Sequence, residues 1–114
     1  VMAIGARGYK INNGRSGYVK VYLREDEGWK QLGQTIYGED DSDWFGTSVS
    51  LSMDGLTLAV GAPSNFGQVK VYGWDQSAFN YQQFGKNIDG ERAGIQFSSS
   101  LALSSDGKTL AVGA

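Results

Sequence analysis

The stretch DWFGTSVSLSMDGLTLAVGAP at 43–63 decides the fold, because the chain repeats most of it. FGTSVSLSMDG at 45–55 returns as FSSSLALSSDG at 97–107. LAVGA at 58–62 returns at 110–114 and, earlier, as MAIGA at 2–6. Working outward, GYVKVY at 17–22 matches GQVKVY at 67–72, and WKQLGQTI at 29–36 matches YQQFGKNI at 81–88. An offset of 52 separates Leu32 from Phe84, Phe45 from Phe97 and Asp54 from Asp106, while Gly17 and Gly67 lie 50 apart. Segments that keep their order while only loop lengths vary are the mark of tandem structural units.

One unit reads as four strands. The first runs from Phe45 to Ser52, with Val49 and Leu51 on one face. Met53-Asp54-Gly55-Leu56 is the turn, since Asp-Gly supplies the positive φ of a tight hairpin. Thr57 to Ala62 is the second strand, where Leu58 and Val60 alternate with small Ala59 and Gly61; Pro63 stops it. The third is Gln68 to Trp74, with Val69 and Val71 facing one way and Lys70 and Tyr72 the other. The fourth is Tyr81 to Ile88. A unit of about 50 residues has the size of a four-stranded propeller blade. Small residues on the second strand suit the crowded inner part of such a blade. A flat sheet or a β-solenoid stack would use the same hairpins. The expectation is all-β: tandem four-stranded antiparallel blades of the β-propeller type, about two blades plus an extra strand. Residues 1–44 form a partial blade (strands two to four), 45–94 a complete one, and 95–114 a further partial one (strands one and two). All belong to one larger array.

Phe45-Gly46 followed, after a hairpin, by Gly61-Ala62-Pro63 resembles the FG-GAP repeat of integrin α-subunit propellers and related extracellular proteins. The flanks WKQLGQTIYGEDDSDWFG at 29–46 and GQVKVYGWD at 67–75 are similar to a subgroup found in tandem in large algal and marine microbial surface proteins. The motif residues are Phe45, Gly46, Asp54, Gly55, Gly61, Ala62, Pro63, Phe97, Asp106 and Gly107. The later copy departs from the pattern, with Ser98 where the earlier has Gly46. The resemblance implies an extracellular or cell-surface propeller, and in some relatives calcium in the hairpin between strands one and two. Here Asp54 and Asp106 are the only carboxylates in those turns, whereas calcium takes about six to eight oxygen ligands. Metal-free hairpins, and no cofactor, are expected.

Composition narrows the chemistry. Without Cys or His there is no thiolate or imidazole zinc site, no Cys nucleophile and no His acid or base. Ser48, Ser50, Ser98, Ser99 and Ser100 therefore have no His partner, and no catalytic residue is assigned. Glu39, Asp40, Asp41 and Asp43 form the densest acidic run, a candidate divalent-cation site; the competing reading is a solvated acidic loop. The equivalent loop at 89–94 is much less acidic, which speaks for the latter. Arg7, Lys10 and Arg15 lie in an insertion that the later unit lacks. Basic charge in 1–24 set against acidic charge in 25–43 could drive head-to-tail association. It is too little for nucleic-acid binding, and no stretch is apolar enough for membrane insertion.

Trp29, Trp44 and Trp74 could be sugar-stacking platforms. Trp29 aligns with Tyr81, which suits an architectural role. Trp44 aligns with Gln96 and is the better ligand-binding candidate. The chain opens on Val1 rather than Met, as an excised segment would. The expected function is a non-catalytic structural or adhesive repeat module whose partners are further copies of itself. The alternative is a lectin-like or integrin-like propeller that binds a glycan or an extracellular protein.

Overall fold

Strand-forming runs separated by Gly-containing turns fold, in a computed structural model, into antiparallel sheets with no helix among the described residues. The structure describes every residue except 9, 12, 13, 16 and 40–43, and only the backbone of 10, 11, 14 and 15. Accordingly, no helix there is long and apolar enough to cross a membrane. Asp40, Asp41 and Asp43 lie outside the described residues.

The first sheet contains β1 (Met2–Ala6), β4 (Tyr18–Glu25), β5 (Gly28–Gln31) and β6 (Ile36–Tyr37), with β4 paired to the other three. The inserted segment before β4 carries a small hairpin of its own, β2 (Lys10–Ile11) with β3 (Gly14–Arg15). The second sheet has the order β10-β9-β8-β7, built from β7 (Ser48–Leu51), β8 (Thr57–Ala62), β9 (Gln68–Asp75) and β10 (Asn80–Gln83). In it, β11 (Ile88–Asp89) also pairs with β9. The third sheet is the hairpin β12 (Ser100–Leu103) and β13 (Leu110–Gly113).

Equivalent repeat segments thus form equivalent strands in equivalent order. Three expected strands differ in extent, the third only by the addition of Asp75. The first is shorter at its start, because Phe45-Gly46 belongs to a turn in which Trp44 and Gly46 both adopt positive φ. The fourth is split. Gly85, at φ 78°, lifts the chain away between β10 and β11, while the Phe84 N–H still donates to the Val71 carbonyl at 2.7 Å. The first sheet does the same with Gly33 and the bond from Leu32 N–H to the Val21 carbonyl.

The main core lies between the first and second sheets. Val19 and Val21 of β4 meet Leu58, Val60 and Ala62 of β8, with Phe45, Tyr72 and Tyr81 closing the cluster. Strand β8 is buried along five consecutive residues, Leu58 to Ala62. One face of it looks to the first sheet and the other to the third, so its pattern is continuous burial rather than alternation. Tyr81 donates its hydroxyl to the Gly55 carbonyl at 2.6 Å, which satisfies the phenol inside the core.

Two outcomes follow. Leu58→Ala removes a fully buried side chain between the sheets and lowers stability by about 2–5 kcal/mol in urea unfolding. Burial, helped by the Asp54 charge, pushes the Tyr81 phenol up to about 12. Its ordinary value is about 10. The neutral form is therefore favoured by folding. That contribution is fully present below pH ~10 and is lost as pH rises through the folded value. Stability measured across the alkaline range falls, and Tyr81→Phe flattens that fall.

Candidate inter-repeat interface

The quoted motif residues converge on the two seams between sheets. Within one unit, the Gly46 N–H donates to the Gly61 carbonyl at 3.0 Å, so the Phe-Gly turn and the Gly-Ala strand end are joined directly. Across the first seam, the same turn sits on the preceding unit. A Cβ at Gly5 would collide with the Gly46 carbonyl. Across the second seam, a Cβ at Gly61 would collide with the Ser98 carbonyl and the Ser48 hydroxyl. Gly5 and Gly61 are equivalent positions, as are Gly46 and Ser98. Each turn therefore rests backbone against backbone on the glycine of the unit before it.

The turns are alike in conformation. Thr47 donates through its N–H at 3.2 Å and through Oγ1 at 2.7 Å to the Trp44 carbonyl. Ser99 N–H donates to the Gln96 carbonyl at 3.0 Å. Trp44, Gly46, Gln96 and Ser98 all have positive φ, between 55° and 89°. The geometry belongs to the turn, and at Ser98 a non-glycine residue is held in it at φ 76°. Ser98 is fully buried, and its Oγ finds no hydrogen-bond partner. The departure from Phe-Gly noted in the sequence is thus a locus of strain.

Polar bonds reinforce each seam. Ser48 Oγ donates to the Ser98 carbonyl at 2.7 Å, and Ser50 Oγ accepts from the Leu103 N–H at 3.0 Å. The strand serines are inter-sheet ties. Met53 N–H donates to the Ser105 carbonyl at 2.8 Å, joining successive hairpin turns. At the first seam, Gln34 N–H donates to Asn80 Oδ1 at 3.1 Å. Lys70, whose side chain is 3% exposed, pairs with Glu39 at 3.2 Å.

Glu39 is thus bound to Lys70, and among the described residues no three acidic side chains gather as a metal site would require. Asp54 accepts from the Leu56 N–H and the Ser52 hydroxyl, in that order of influence, which hold its carboxyl below the usual range. Asp106 is lowered by the Ser104 hydroxyl and the Lys108 N–H. Both carboxylates close their own hairpin turns. Gly55 and Gly107 adopt φ 74° in those turns. Pro63 is buried just after β8.

The tryptophans separate. Trp74 makes edge contacts with Phe79 and Tyr81, at ring-centroid distances of 5.2 and 5.0 Å. Trp29 is exposed on β5. Trp44 is 40% exposed, and the Arg7 guanidinium lies 5.6 Å over its ring. Arg7 from the insertion is thereby brought to the second unit; the side chains of Lys10 and Arg15 lie outside the described residues.

Sequence reading missed the Lys70–Glu39 pair and the Ser-x-Asp closure. Both signals were present: Lys20 and Lys70, Glu39 and Glu91, and the Ser-x-Asp-Gly sets at 52–55 and 104–107 recur at matching repeat positions. No protein-family model matches the chain, and no curated protein is significantly similar to it in sequence.

Relieving the strained turn is measurable. A non-glycine residue in the left-handed region costs about 1–2 kcal/mol. Ser98→Gly also removes an unpaired buried hydroxyl, offset partly by a looser unfolded chain. It gains about 1 kcal/mol in urea unfolding. Gly46→Ser loses stability, because its Cβ would stand 2.7 Å from the Tyr18 carbonyl.

Proposed function

We propose that the chain is a non-catalytic structural and adhesive repeat module of an extracellular or cell-surface protein, built from FG-GAP-like units that stack as β-propeller blades do. One observation carries this reading: the turn-on-glycine contact occurs at both seams, at equivalent residues. A geometry repeated within one chain is suited to further repetition along an array. Among the described residues, the chemistry of the seams is packing, backbone and side-chain hydrogen bonds, a cation–aromatic contact and one ion pair. Among the motif residues, Gly46, Gly61 and the Phe97 turn lie against the neighbouring unit, while Asp54 and Asp106 shape the hairpins of their own units. Further copies or repeats of the same unit are the partners this favours, in a ring or a filament.

The outer faces agree with this. Met2 and Ile4 of β1 are 37% and 46% exposed, whereas Leu58 and Val60, their equivalents on β8, are fully buried by the preceding sheet. An apolar face covered in one unit and open in the unit before it is an association surface. Sedimentation over a concentration series tests the reading. Concentration-dependent self-association is expected, and it weakens in Ile4→Asp. A chain that stays a stable monomer at every concentration refutes it.

A competing reading, a glycan- or protein-binding propeller, draws on the exposed ring of Trp44. That side chain is 40% exposed. A glycan array probed with the chain and with Trp44→Ala separates the two: binding lost in the variant supports the lectin form, and an empty array removes it.

A further inference from the structure

At the first seam, the face of β4 is covered by the β9–β10 hairpin of the next unit. Four contacts define that cover. Leu32 and Ile36, like Trp74, are half-buried against the core that includes Tyr72 and Tyr81. A Cβ built at Gly33 would lie 3.2 Å from the Trp74 ring and 3.0 Å from Asn80 Oδ1. Gln34 N–H donates to the same Asn80 oxygen at 3.1 Å. Glu39 holds Lys70 at 3.2 Å.

The same surface recurs 52 residues later, and there it is open. Phe84, equivalent to Leu32, is 75% exposed, and Ile88, equivalent to Ile36, is 43% exposed. Gly85, equivalent to Gly33, has nothing within 4 Å of a Cβ built on it. Glu91, equivalent to Glu39, has no ion-pair partner among the described residues. Between this surface and the β12–β13 hairpin runs a groove of about 600 Å³, with Leu56, Val71, Phe84, Ile88, Leu103 and Leu110 in its walls. Strand β13 borders it with an unpaired edge, since its one partner among the described strands is β12.

From this we infer that the groove is the seat of a β-hairpin from another unit of the same repeat. The hairpin pairs its first strand with the free edge of β13. It lays a Tyr, a Trp and a second Tyr over Phe84 and Ile88, and its Lys reaches Glu91. The occupant is read from the established seam, where residues of that chemistry fill the equivalent surface. Main-chain pairing along β13 supplies affinity, and the aromatic and charged side chains supply register. This rests on the repeat-module reading above, and it specifies which unit face is accepted and by which residues.

The test extends the full chain with a second copy of residues 63–90 placed directly after Ala114, as Pro63 follows Ala62. A control carries the same residues in scrambled order. The expected result is a rise in Tm of roughly 5 °C or more over the control, with slowed amide exchange across β13. Phe84→Asp, at an exposed position, leaves the Tm of the unextended chain nearly unchanged but abolishes the rise. Glu91→Lys reduces the rise, and changing the appended copy's Lys70→Glu in that background restores it. A rise no larger than the control's, or one indifferent to Phe84→Asp, overturns the assignment. Should the extended chain gain nothing while the unextended chain still self-associates, the groove assignment falls and the module reading stands. Should the chain remain monomeric throughout, the module reading itself falls.

Discussion

The two seams depend on a backbone contact between a turn and a glycine of the preceding unit. Gly5 receives the turn of Phe45-Gly46, and Gly61 receives the turn of Phe97-Ser98. Neither contact leaves room for a side chain on the receiving residue. Because the sheets approach this closely at one end, the residues behind the turn are sealed. Phe45 is fully buried, and Leu58, Val60 and Val19 pack without access to water. Interiors packed to this density tolerate little change in volume. The Gly-Ala end of one strand and the Phe-Gly turn of the next unit therefore act as a single fitted part, although more than 40 residues separate Gly5 from Gly46.

Placement of the turn also decides what the polar residues do. With Ser98 fixed over Gly61, its carbonyl stands within reach of the Ser48 hydroxyl, and Ser50 reaches the Leu103 N–H. Strand serines that could be read as solvent-facing become ties between sheets. The same positioning forces Ser98 into the left-handed region with an unsatisfied hydroxyl. The fold accepts that local cost because the surrounding contacts over-determine the turn.

Charge follows a similar logic. Lys70 alternates with Val69 and Val71 along β9, so on a two-layer sheet it would face water. Here the first sheet covers that face, and the ammonium is taken into the seam, where Glu39 meets it. A buried cation left unpaired is costly. The carboxylate is thus part of the interface, and the first residue of the acidic run has a structural task. The turn carboxylates, Asp54 and Asp106, are likewise occupied by their own hairpins. Arg7 over Trp44 joins the insertion to the second unit by a cation–aromatic contact.

Sequence by itself determined the repeat, the all-β class, the extent of Thr57 to Ala62 and nearly that of Gln68 to Asp75, and the Asp-Gly hairpins. These are legible because strand alternation and turn chemistry are local, and because a second copy checks each assignment. It also marked Phe45, Gly46, Gly61 and Ala62 as motif residues without saying what they touch. Only the tertiary structure decided that Gly46 rests on Gly5, that Glu39 holds Lys70, and that the fourth strand breaks at Gly85. The break at Gly85 rests on a positive φ, and the two contacts depend on the distance between sheets. That distance is set by backbone contact at glycine, and it brings together residues that no local pattern connects.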